Sequence, residues 1–370
     1  MPKTEIFSNP SAKSWSYAQE TDLAMVRSFH ERLPGYQPTP LVSLPDVAKE
    51  LGVKAVVVKD ESNRLSLPAF KILGASWGIF RAITVKTGLD DKADLEAVGL
   101  AARKAGVVVF AATEGNHGRA VARMGNILHI PVHIYMSRYA DSETVDKIES
   151  EGAHVTVLPG TYDEAVASAF EASKNQPNGL LVQDNAFQGY EEIPTWIVQG
   201  YSTLLVETEC QLATQGLKAT AIVSPIGVGS LGHAVVAFAK SDNRNLSVLT
   251  VEPESAACLY HNLKAGKWEP IDTSATIMNG MNCGTVSPIS WPTFTKGVDA
   301  STTITDIDCH HAIEYLHLHG INAGPCGAAA LVALRKVARL YPTSIHLDKN
   351  AVVVLLSTEG SRGYKAPEAH

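Results

Sequence analysis

The chain has 370 residues, of which 45% are hydrophobic and 19% are charged, and its formal net charge is −7. This composition fits one large or two moderate folded domains and excludes a disordered chain. The negative balance and the lack of a basic stripe argue against a nucleic-acid partner and against attraction to an acidic membrane surface.

Neither a leader peptide nor a membrane helix is expected. The first residues, MPKTEIFSNPSAKSW, contain no apolar run of signal-peptide length, and no segment has the long uncharged run that crosses a bilayer. The five cysteines are scattered without a CxxC spacing, which is typical of free thiols in a reducing compartment. We therefore expect a cytoplasmic protein, and the sequence leaves open whether Cys258 and Cys283 pair.

Strands and helices are predicted to alternate along most of the chain. An extended arm at 38–41 comes first, and a helix is expected from about residue 69. Further helices are predicted from 116, from 141, from a capping box at 161–164, and over 192–212. The apolar, β-branched runs predict strands at 55–59, 107–112, 132–136, 154–158, 180–183, 219–224, 247–252 and 351–357.

Strands with little polar alternation, separated by helices, indicate buried and mostly parallel sheets. There are too many strands for one small sheet, so we predict an α/β protein with two α/β domains. The large domain would consist of 1–80 and 195–370, and the small domain, 81–194, would be inserted in it. The site is then expected at the carboxyl ends of strands, in the cleft between the domains.

Lys71 is the first candidate for a catalytic residue. It lies in the segment PAFKILG (68–74), where a helix is predicted to begin. Its apolar neighbours would desolvate the amine and hold it as a nucleophile. A solvated surface lysine is the alternative, and the loops described next favour the functional interpretation.

The loop TEGNHG (113–118) joins a predicted strand to a predicted helix. Its backbone amides suit a carboxylate, because the first turn of a helix offers unpaired N–H groups. Asn116 can donate to a phenolate oxygen, and Glu114 supplies an ionisable group near a reacting carbon. The alternative is a simple helix start with Thr113 as N-cap.

The glycine-rich run GVGSLG (227–232) follows a strand and opens a helix, so its amides can bind a phosphate. It also matches the dinucleotide fingerprint, with Glu252 about twenty residues further on at a strand end. By itself the loop fits a nucleotide and a lone phosphate equally. Together with a reactive lysine it favours a cofactor that carries both an aldehyde and a phosphate, namely pyridoxal 5′-phosphate.

Two further patterns carry weaker signals. Ser357 and Thr358 end the last predicted strand and offer a hydroxyl to a pyridine nitrogen, although ordinary turn chemistry explains them equally simply. The histidine-rich helix around His310, Glu314 and His317 matches no HExxH spacing, so we expect no metal there.

With these motifs in place, the chain resembles the fold-type II pyridoxal phosphate enzymes, and more narrowly the diaminopropionate ammonia-lyases. The resemblance covers nearly the whole chain. The pieces FK (70–71), GNHG (115–118) and GVGSL (227–231) are shared with the wider threonine dehydratase and tryptophan synthase β superfamily. The pieces GYEEIPTW (189–196) and MNCGT (281–285) are more specific to the ammonia-lyases.

The resemblance implies a role for each matching position. Lys71 would form the Schiff base with the cofactor, and the catalytic set would be Lys71, Glu114 and Asp184. The residues expected to bind the cofactor, besides Lys71, are Phe70, Asn116, Gly227, Val228, Gly229, Ser230, Leu231, Ser357 and Thr358. The residues expected to bind the substrate are Thr113, Gly115, His117 and Asp184. A homodimer is also implied.

The chain departs from the family pattern at two places. Glu114 stands where the family usually has Asp, and Pro325-Cys326-Gly327 replaces the usual Glu-Ser-Gly. The family's Asp is associated with proton abstraction from the D-enantiomer. The additional methylene of Glu114 moves the carboxylate by roughly 1 Å, and small misplacements of a base cost rate. The sequence therefore does not predict action on D-substrates.

The implied reaction is β-elimination on a small amino acid, foremost 2,3-diaminopropionate, to pyruvate and ammonia. A serine or threonine dehydratase, or a β-replacement synthase, would act through the same aminoacrylate. A nucleotide-binding dehydrogenase is the alternative without pyridoxal phosphate, and a catalytically silent protein that binds the cofactor is a further one.

Overall fold

The computed structural model describes residues 6–368, and two compact units form within them. The large unit comprises 6–21, 38–63 and 204–368, and the small unit comprises 22–37 and 64–203. The small unit thus takes in the helix that begins at Lys71, whereas the insertion predicted from the sequence begins at 81. The domain limits stay a prediction. None of the helices within 6–368 combines the length and the apolar character needed to cross a membrane.

Eleven strands are present in the described residues: β1 (Phe7–Ser8), β2 (Leu41–Ser43), β3 (Ala55–Asp60), β4 (Val108–Ala112), β5 (Val132–Met136), β6 (His154–Val157), β7 (Gly179–Leu181), β8 (Ala221–Pro225), β9 (Ser247–Pro253), β10 (Ala300–Ile304) and β11 (Val352–Ser357).

Fourteen α-helices accompany them in the same part of the chain: α1 (Leu23–Glu31), α2 (Pro45–Leu51), α3 (Lys71–Thr87), α4 (Leu95–Ala105), α5 (Asn116–Leu128), α6 (Ser142–Glu149), α7 (Tyr162–Asn175), α8 (Glu192–Gly200), α9 (Ser202–Thr214), α10 (Ser230–Lys240), α11 (Cys258–Ala265), α12 (Trp291–Gly297), α13 (Asp306–Leu318) and α14 (Pro325–Leu340).

The large unit contains a seven-stranded sheet in the order β1-β10-β9-β8-β11-β3-β2. The inner strands are parallel, and only the edge strands β1 and β2 are antiparallel. Every residue of β8, β9 and β11 is buried, because helices cover both faces of these β-branched runs. The predicted mostly parallel sheet is confirmed, while β1, β2 and β10 were not predicted.

The small unit contains a four-stranded parallel sheet in the order β6-β5-β4-β7. Phe110, Ala112 and Leu181 pack with Ala165 and Ala169 of α7 in a buried cluster on one face. The Thr161 hydroxyl and the Glu164 carboxylate form the capping box that opens α7, as the sequence predicts.

The predicted helical stretch over 192–212 is two helices, α8 and α9, interrupted at Tyr201. Glycines explain the close packing of this region against α3. A Cβ atom on Gly200 would lie 2.4 Å from the Leu73 carbonyl oxygen, and one on Gly74 would lie 2.5 Å from the Tyr201 ring. Side chains at these positions would force the two helices apart, so the glycines set the place of the first turn of α3.

Candidate active site

In the small unit, Lys71 and Asp184 form an ion pair. Lys71 is the first residue of α3, and Asp184 lies in the loop that follows β7. The Lys71 Nζ lies 2.5 Å from Asp184 Oδ2, and the two side chains are 22% and 9% exposed. Burial raises the pKa of Asp184, but the charges of Lys71 and His117, together with the hydrogen bonds that the carboxylate accepts, lower it to about 2. The carboxylate is therefore ionised at neutral pH.

Three aromatic side chains surround this pair. The Phe70 ring centre lies 5.3 Å from Lys71 Nζ, and its edge meets the Tyr201 ring, 4.8 Å away between centroids. Burial lowers the pKa of His117, with Asp184 opposing the shift, so the imidazole is neutral at pH 7. Its Nε2 donates to the Val182 carbonyl at 2.8 Å, and its buried Nδ1 has no hydrogen-bond partner among the described residues. Lys71 thus lies beside apolar rings, which favour the neutral amine, and beside a carboxylate, which favours the ammonium form.

The first turn of α3 is fixed by a buried histidine. His30 Nε2 lies 2.8 Å from the Leu73 carbonyl oxygen, and its Nδ1 lies 2.7 Å from the Thr203 hydroxyl. His30 is fully buried. This bridge was not predicted, because α1 is remote from Lys71 in sequence and a single histidine carries no recognisable pattern.

The loop at 113–118 is a capped helix start. The Thr113 hydroxyl accepts hydrogen bonds from the amides of Gly115 and Gly118, at 2.9 and 3.0 Å. Asn116 is the first residue of α5 and is partly buried. The N-cap residue of α5 is Gly115 and not Thr113, as the alternative had predicted, although the Thr113 hydroxyl does accept hydrogen bonds from amides at this helix start.

Glu114 makes no direct contact with Lys71 in the described chain. Its side chain is exposed, whereas Thr113 and His117 on either side are buried. No hydrogen bond or ion pair joins Glu114 to Lys71 or Asp184 in the described chain. The catalytic role predicted for Glu114 stays a prediction.

Two other lysines, Lys59 and Lys240, are more deeply buried than Lys71, and each pairs with a carboxylate. In the large unit, Lys59 Nζ contacts Glu207 at 2.7 Å, Gln211 at 2.9 Å and the Thr39 carbonyl at 3.0 Å. Lys240 Nζ contacts Asp299 at 2.8 Å. An ammonium with three acceptors and no exposure has a structural function, so Lys59 is not a rival nucleophile.

The glycine-rich loop lies in the large unit, between β8 and α10. Gly229 has φ +94°, a conformation that L side chains rarely adopt. A Cβ atom on Gly227 would lie 2.6 Å from the Gly280 carbonyl oxygen, and one on Gly232 would lie 2.3 Å from Ile226. The Val228 carbonyl accepts from the Ser287 amide at 2.7 Å, which fixes the loop. The first amides of α10, at Ser230 and Leu231, complete a cradle for an anion.

A second loop of the large unit follows β11. Ser357 is fully buried, and its hydroxyl has no hydrogen-bond partner within the described residues. Thr358 is 5% exposed. A Cβ atom on Gly327 would lie 2.8 Å from the Ser357 hydroxyl, so the start of α14 packs directly on this corner. An unpaired buried hydroxyl is costly unless a ligand group completes it.

The acid of the dinucleotide fingerprint is already in use. Both carboxylate oxygens of Glu252 accept backbone hydrogen bonds, from Leu259 at 2.8 Å and from Tyr260 at 2.7 Å. Burial raises the pKa of Glu252 to about 7. The residue caps α11 and is fully buried, so it cannot bind a ribose. The nucleotide interpretation loses the residue on which it depended.

The polar groups described in each of the two units fit pyridoxal phosphate. The small unit supplies an amine held by a carboxylate in an apolar setting. The large unit supplies a glycine cradle suited to a phosphate and a buried hydroxyl suited to a ring nitrogen. None of these groups points specifically to a nucleotide.

Comparison with known proteins supports the same conclusion. Residues 32–359 match the family model described as "Pyridoxal-phosphate dependent enzyme". The diaminopropionate ammonia-lyase of Escherichia coli (strain K12) is 33% identical over 369 residues, which is 94% of this chain and 90% of that protein. The chain belongs to the diaminopropionate ammonia-lyase family.

Solved structures of the family agree with the fold. The E. coli diaminopropionate ammonia-lyase in complex with D-serine has a TM-score of 0.85 and 30% identity, covering 96% of this chain and 93% of that one. The same enzyme in complex with an aminoacrylate-PLP azomethine reaction intermediate has a TM-score of 0.84 and 32% identity, with the same coverage. Fold-type II architecture, pyridoxal phosphate as cofactor, and the carbon–nitrogen lyase class are thereby confirmed.

Other polar groups of interest have local functions. All five cysteines are free thiols, including Cys258 and Cys283. His310 Nδ1 contacts the Tyr364 hydroxyl at 2.8 Å, and His317 Nε2 contacts the Ala323 carbonyl at 2.9 Å. No group of three metal-binding side chains occurs in residues 6–368.

Proposed function

We propose that this protein eliminates the β-amino group of 2,3-diaminopropionate, giving pyruvate and two molecules of ammonia with the uptake of one water. Membership of the ammonia-lyase family supports the reaction type. The observation that carries the proposal is the contact between the Lys71 amine and the Asp184 carboxylate, at 2.5 Å.

When bound, pyridoxal phosphate supplies an aldehyde that captures the substrate amine and a ring that draws electrons from the α-carbon. The amides of Gly227 to Leu231 would hold its phosphate, since glycines at this turn leave the backbone accessible. Asn116 would donate to the ring oxygen, and Ser357 would face the ring nitrogen. Phe70 and Thr358 would line the remaining ring edge.

Lys71 would act as the general base for the α-proton of an L-amino acid. Its amine is partly exposed, while the side chains around it are buried. The neighbouring carboxylate would receive the positive charge that Lys71 gains with the proton, which stabilises the protonated amine.

Asp184 would bind the substrate's β-ammonium group rather than protonate it. Beside the charged Lys71 amine, the pKa of Asp184 is lowered to about 2, so its carboxyl group is ionised and suited to binding a cation. A β-ammonium already carries the proton with which it leaves, so the leaving group requires no acid. This assigns Asp184 a preference for a cationic β-substituent over the neutral hydroxyl of serine.

The remaining loop would bind the substrate carboxylate. The candidates are Thr113, Gly115 and His117, which lie at or beside the first turn of α5. We propose a preference for the L-enantiomer, because Glu114 stands where the family usually has Asp. We also propose a cytoplasmic homodimer, which native mass measurements of the purified protein would test.

The proposed linkage between Lys71 and the cofactor is tested by hydride trapping on cofactor-supplemented protein, followed by peptide mass spectrometry. We expect a reduced cofactor adduct on Lys71 and none on Lys59 or Lys240, which serve as internal controls of buried lysines. An adduct on another lysine, or colourless protein that retains no cofactor, would overturn the assignment.

The substrate is tested by pyruvate release from both enantiomers of 2,3-diaminopropionate, serine and threonine. We expect the highest kcat/KM for L-2,3-diaminopropionate. Faster turnover of serine or threonine would make the protein a dehydratase. Robust turnover of D-2,3-diaminopropionate would show that Glu114 replaces the usual Asp without loss. Suppression of pyruvate by an added nucleophile would indicate a β-replacement synthase, and no pyruvate from any substrate despite bound cofactor would indicate a silent protein.

A further inference from the structure

An apolar cavity of about 270 Å³ lies in the large unit, at the end of β8 opposite to the glycine-rich loop. It is enclosed between α9, the second half of α10 and the sheet. Its interior wall consists of buried apolar side chains: Leu205, Leu212, Ile222, Phe238, Leu246 and Val354. Ala219 and Lys218, just before β8, mark its opening, so the cavity is separate from the residues assigned to the cofactor.

The interior offers water few polar partners. The one hydroxyl in the wall, that of Thr208, donates to the Leu204 carbonyl at 2.7 Å within α9. A buried water needs two to four polar partners, and cavities without them stay dry. Such a space favours an aliphatic group, and 270 Å³ accommodates roughly nine water-sized groups at about 30 Å³ each.

The two cationic side chains at the rim, Arg244 and Lys218, differ in whether they form ion pairs. Arg244 pairs with Glu209 at 2.9 Å, and with Asp242, which does not line the cavity, at 2.7 Å. Its guanidinium lies 4.1 Å from the Phe238 ring centre, so it forms part of the wall. Lys218 is exposed and makes no ion pair with any residue of the described chain. The rim therefore presents one available cation beside an apolar cavity.

We propose that this cavity binds a medium-chain aliphatic carboxylate, with its tail among Leu212, Ile222 and Phe238 and its head group on Lys218. The size of the cavity excludes a peptide helix, and the sign of the free charge selects a carboxylate over an amine. The proposal is independent of the reaction proposed above, because the residues involved are distinct.

The probe is sodium octanoate, titrated calorimetrically into the holoenzyme below its micellar concentration. The comparison ligands are propionate, which has the same head and a short tail, and 1-octanol, which has the same tail and no charge. We expect octanoate to bind once per chain, octanol to bind more weakly, and propionate not to bind.

Two variants test the two halves of the site. Ala213→Trp places a large side chain at an exposed position of the rim and should abolish binding of octanoate and octanol. Lys218→Gln should weaken octanoate about two- to five-fold, as expected for an exposed ion pair, and leave octanol unchanged. Lys267→Gln, an exposed lysine outside the cavity, is the matched control and should change neither affinity.

Each outcome decides the proposal. Absence of octanoate binding to the wild-type holoenzyme overturns it, whether the cavity is closed or covered by another copy of the chain. Binding that survives Ala213→Trp, in protein with unchanged circular dichroism and lyase activity, also overturns it. Equal effects of Lys218→Gln on octanoate and octanol overturn the assignment of the carboxylate to Lys218.

Discussion

Two lysine–carboxylate pairs of this protein have similar contact distances and different surroundings. Lys71 lies 2.5 Å from Asp184 in the small unit, and Lys59 lies 2.7 Å from Glu207 in the large unit. The Lys59 pair is completely buried and has Thr39 and Gln211 as further partners. The Lys71 side chain is 22% exposed, and its amine lies 5.3 Å from the centre of the Phe70 ring. Side-chain exposure and the apolar rings beside Lys71 separate the reactive pair from the structural one.

The largest expected effect comes from removing the reactivity of Lys71 while keeping its charge. Lys71→Arg retains a cation for Asp184 but cannot act as an amine nucleophile or base at neutral pH. We expect pyruvate formation to fall by roughly 10³-fold or more. Urea unfolding should show a free energy within about 1 kcal/mol of the wild type.

A Lys71→Arg variant that keeps more than a tenth of the wild-type rate would contradict this prediction. It would mean that another residue performs the proton transfer, and the contrast between the two pairs would then carry no functional meaning.

Breaking the structural pair should affect folding instead. Lys59→Met leaves the Glu207 carboxylate buried without its cation, and we expect the free energy of unfolding to fall by about 3–5 kcal/mol. The double variant Lys59→Met/Glu207→Leu should recover most of that loss, because it removes both charges. Urea titrations of the two variants measure the difference.

Hydride trapping on Lys71 should persist in the folded fraction of Lys59→Met. If trapping is lost while circular dichroism remains native, the Lys59 pair has a function in the chemistry, and the distinction drawn here is wrong.

Replacing the partner of Lys71 tests the carboxylate. Asp184→Asn should lower kcat/KM for 2,3-diaminopropionate by about 10²-fold, because the amide neither binds a cation strongly nor stabilises a protonated lysine. The pKa of Asp184 is lowered from 3.8 to about 2, so its charge and its contribution to stability are complete above pH 4. That contribution, about 2 kcal/mol, is lost only as the pH falls toward 2.

The pH–rate profiles of wild type and Asp184→Asn should therefore be parallel between pH 5 and pH 9. An acidic limb in this range that disappears in the variant would show that Asp184 titrates there, and that it can donate a proton to a leaving group.

The smallest expected effect concerns the turn at 64–67, which precedes Lys71 in the chain. Leu65 and Ser66 form the centre of a tight turn closed by paired hydrogen bonds between Arg64 and Leu67, and both have positive φ, 54° and 61°. Non-glycine residues are disfavoured there by about 1 kcal/mol each. We expect Ser66→Gly to raise the free energy of unfolding by about 0.5–1 kcal/mol, measured by urea titration.

Ser66→Ala is the matched control and should give no gain, since alanine keeps the Cβ atom. A higher stability with alanine would mean that the loss of the serine hydroxyl, and not backbone strain, explains any effect of glycine.

Much of this arrangement is readable from local patterns. The β-branched runs of β5 and β11, the capping box of α7 and the glycine-rich loop all appear in the sequence near their observed positions. The short edge strands β1 and β2 were missed because two or three residues carry no periodicity. Strand β10, ASTTI, was missed because its polar residues do not look buried, although four of its five residues are buried.

Long-range contacts set the remaining limits. No local pattern pairs Lys71 with Asp184 or brings Tyr201 and His30 to the first turn of α3. Nor does one predict that Glu252 accepts hydrogen bonds from the first turn of α11. Glu252 is instructive, because its spacing from the glycines matched a fingerprint while its carboxylate serves a neighbouring helix. Spacing along the chain identifies candidate residues, and their hydrogen-bond partners show which of them have a structural role instead.

The missing side chain at residue 200 has a consequence for anyone who redesigns this protein. The position of the Lys71 amine depends on the absence of a side chain at residue 200, since a methyl group there would collide with the Leu73 carbonyl oxygen. Libraries aimed at new substrates should therefore leave Gly200 fixed, even though it would never be chosen as an active-site position by its chemistry.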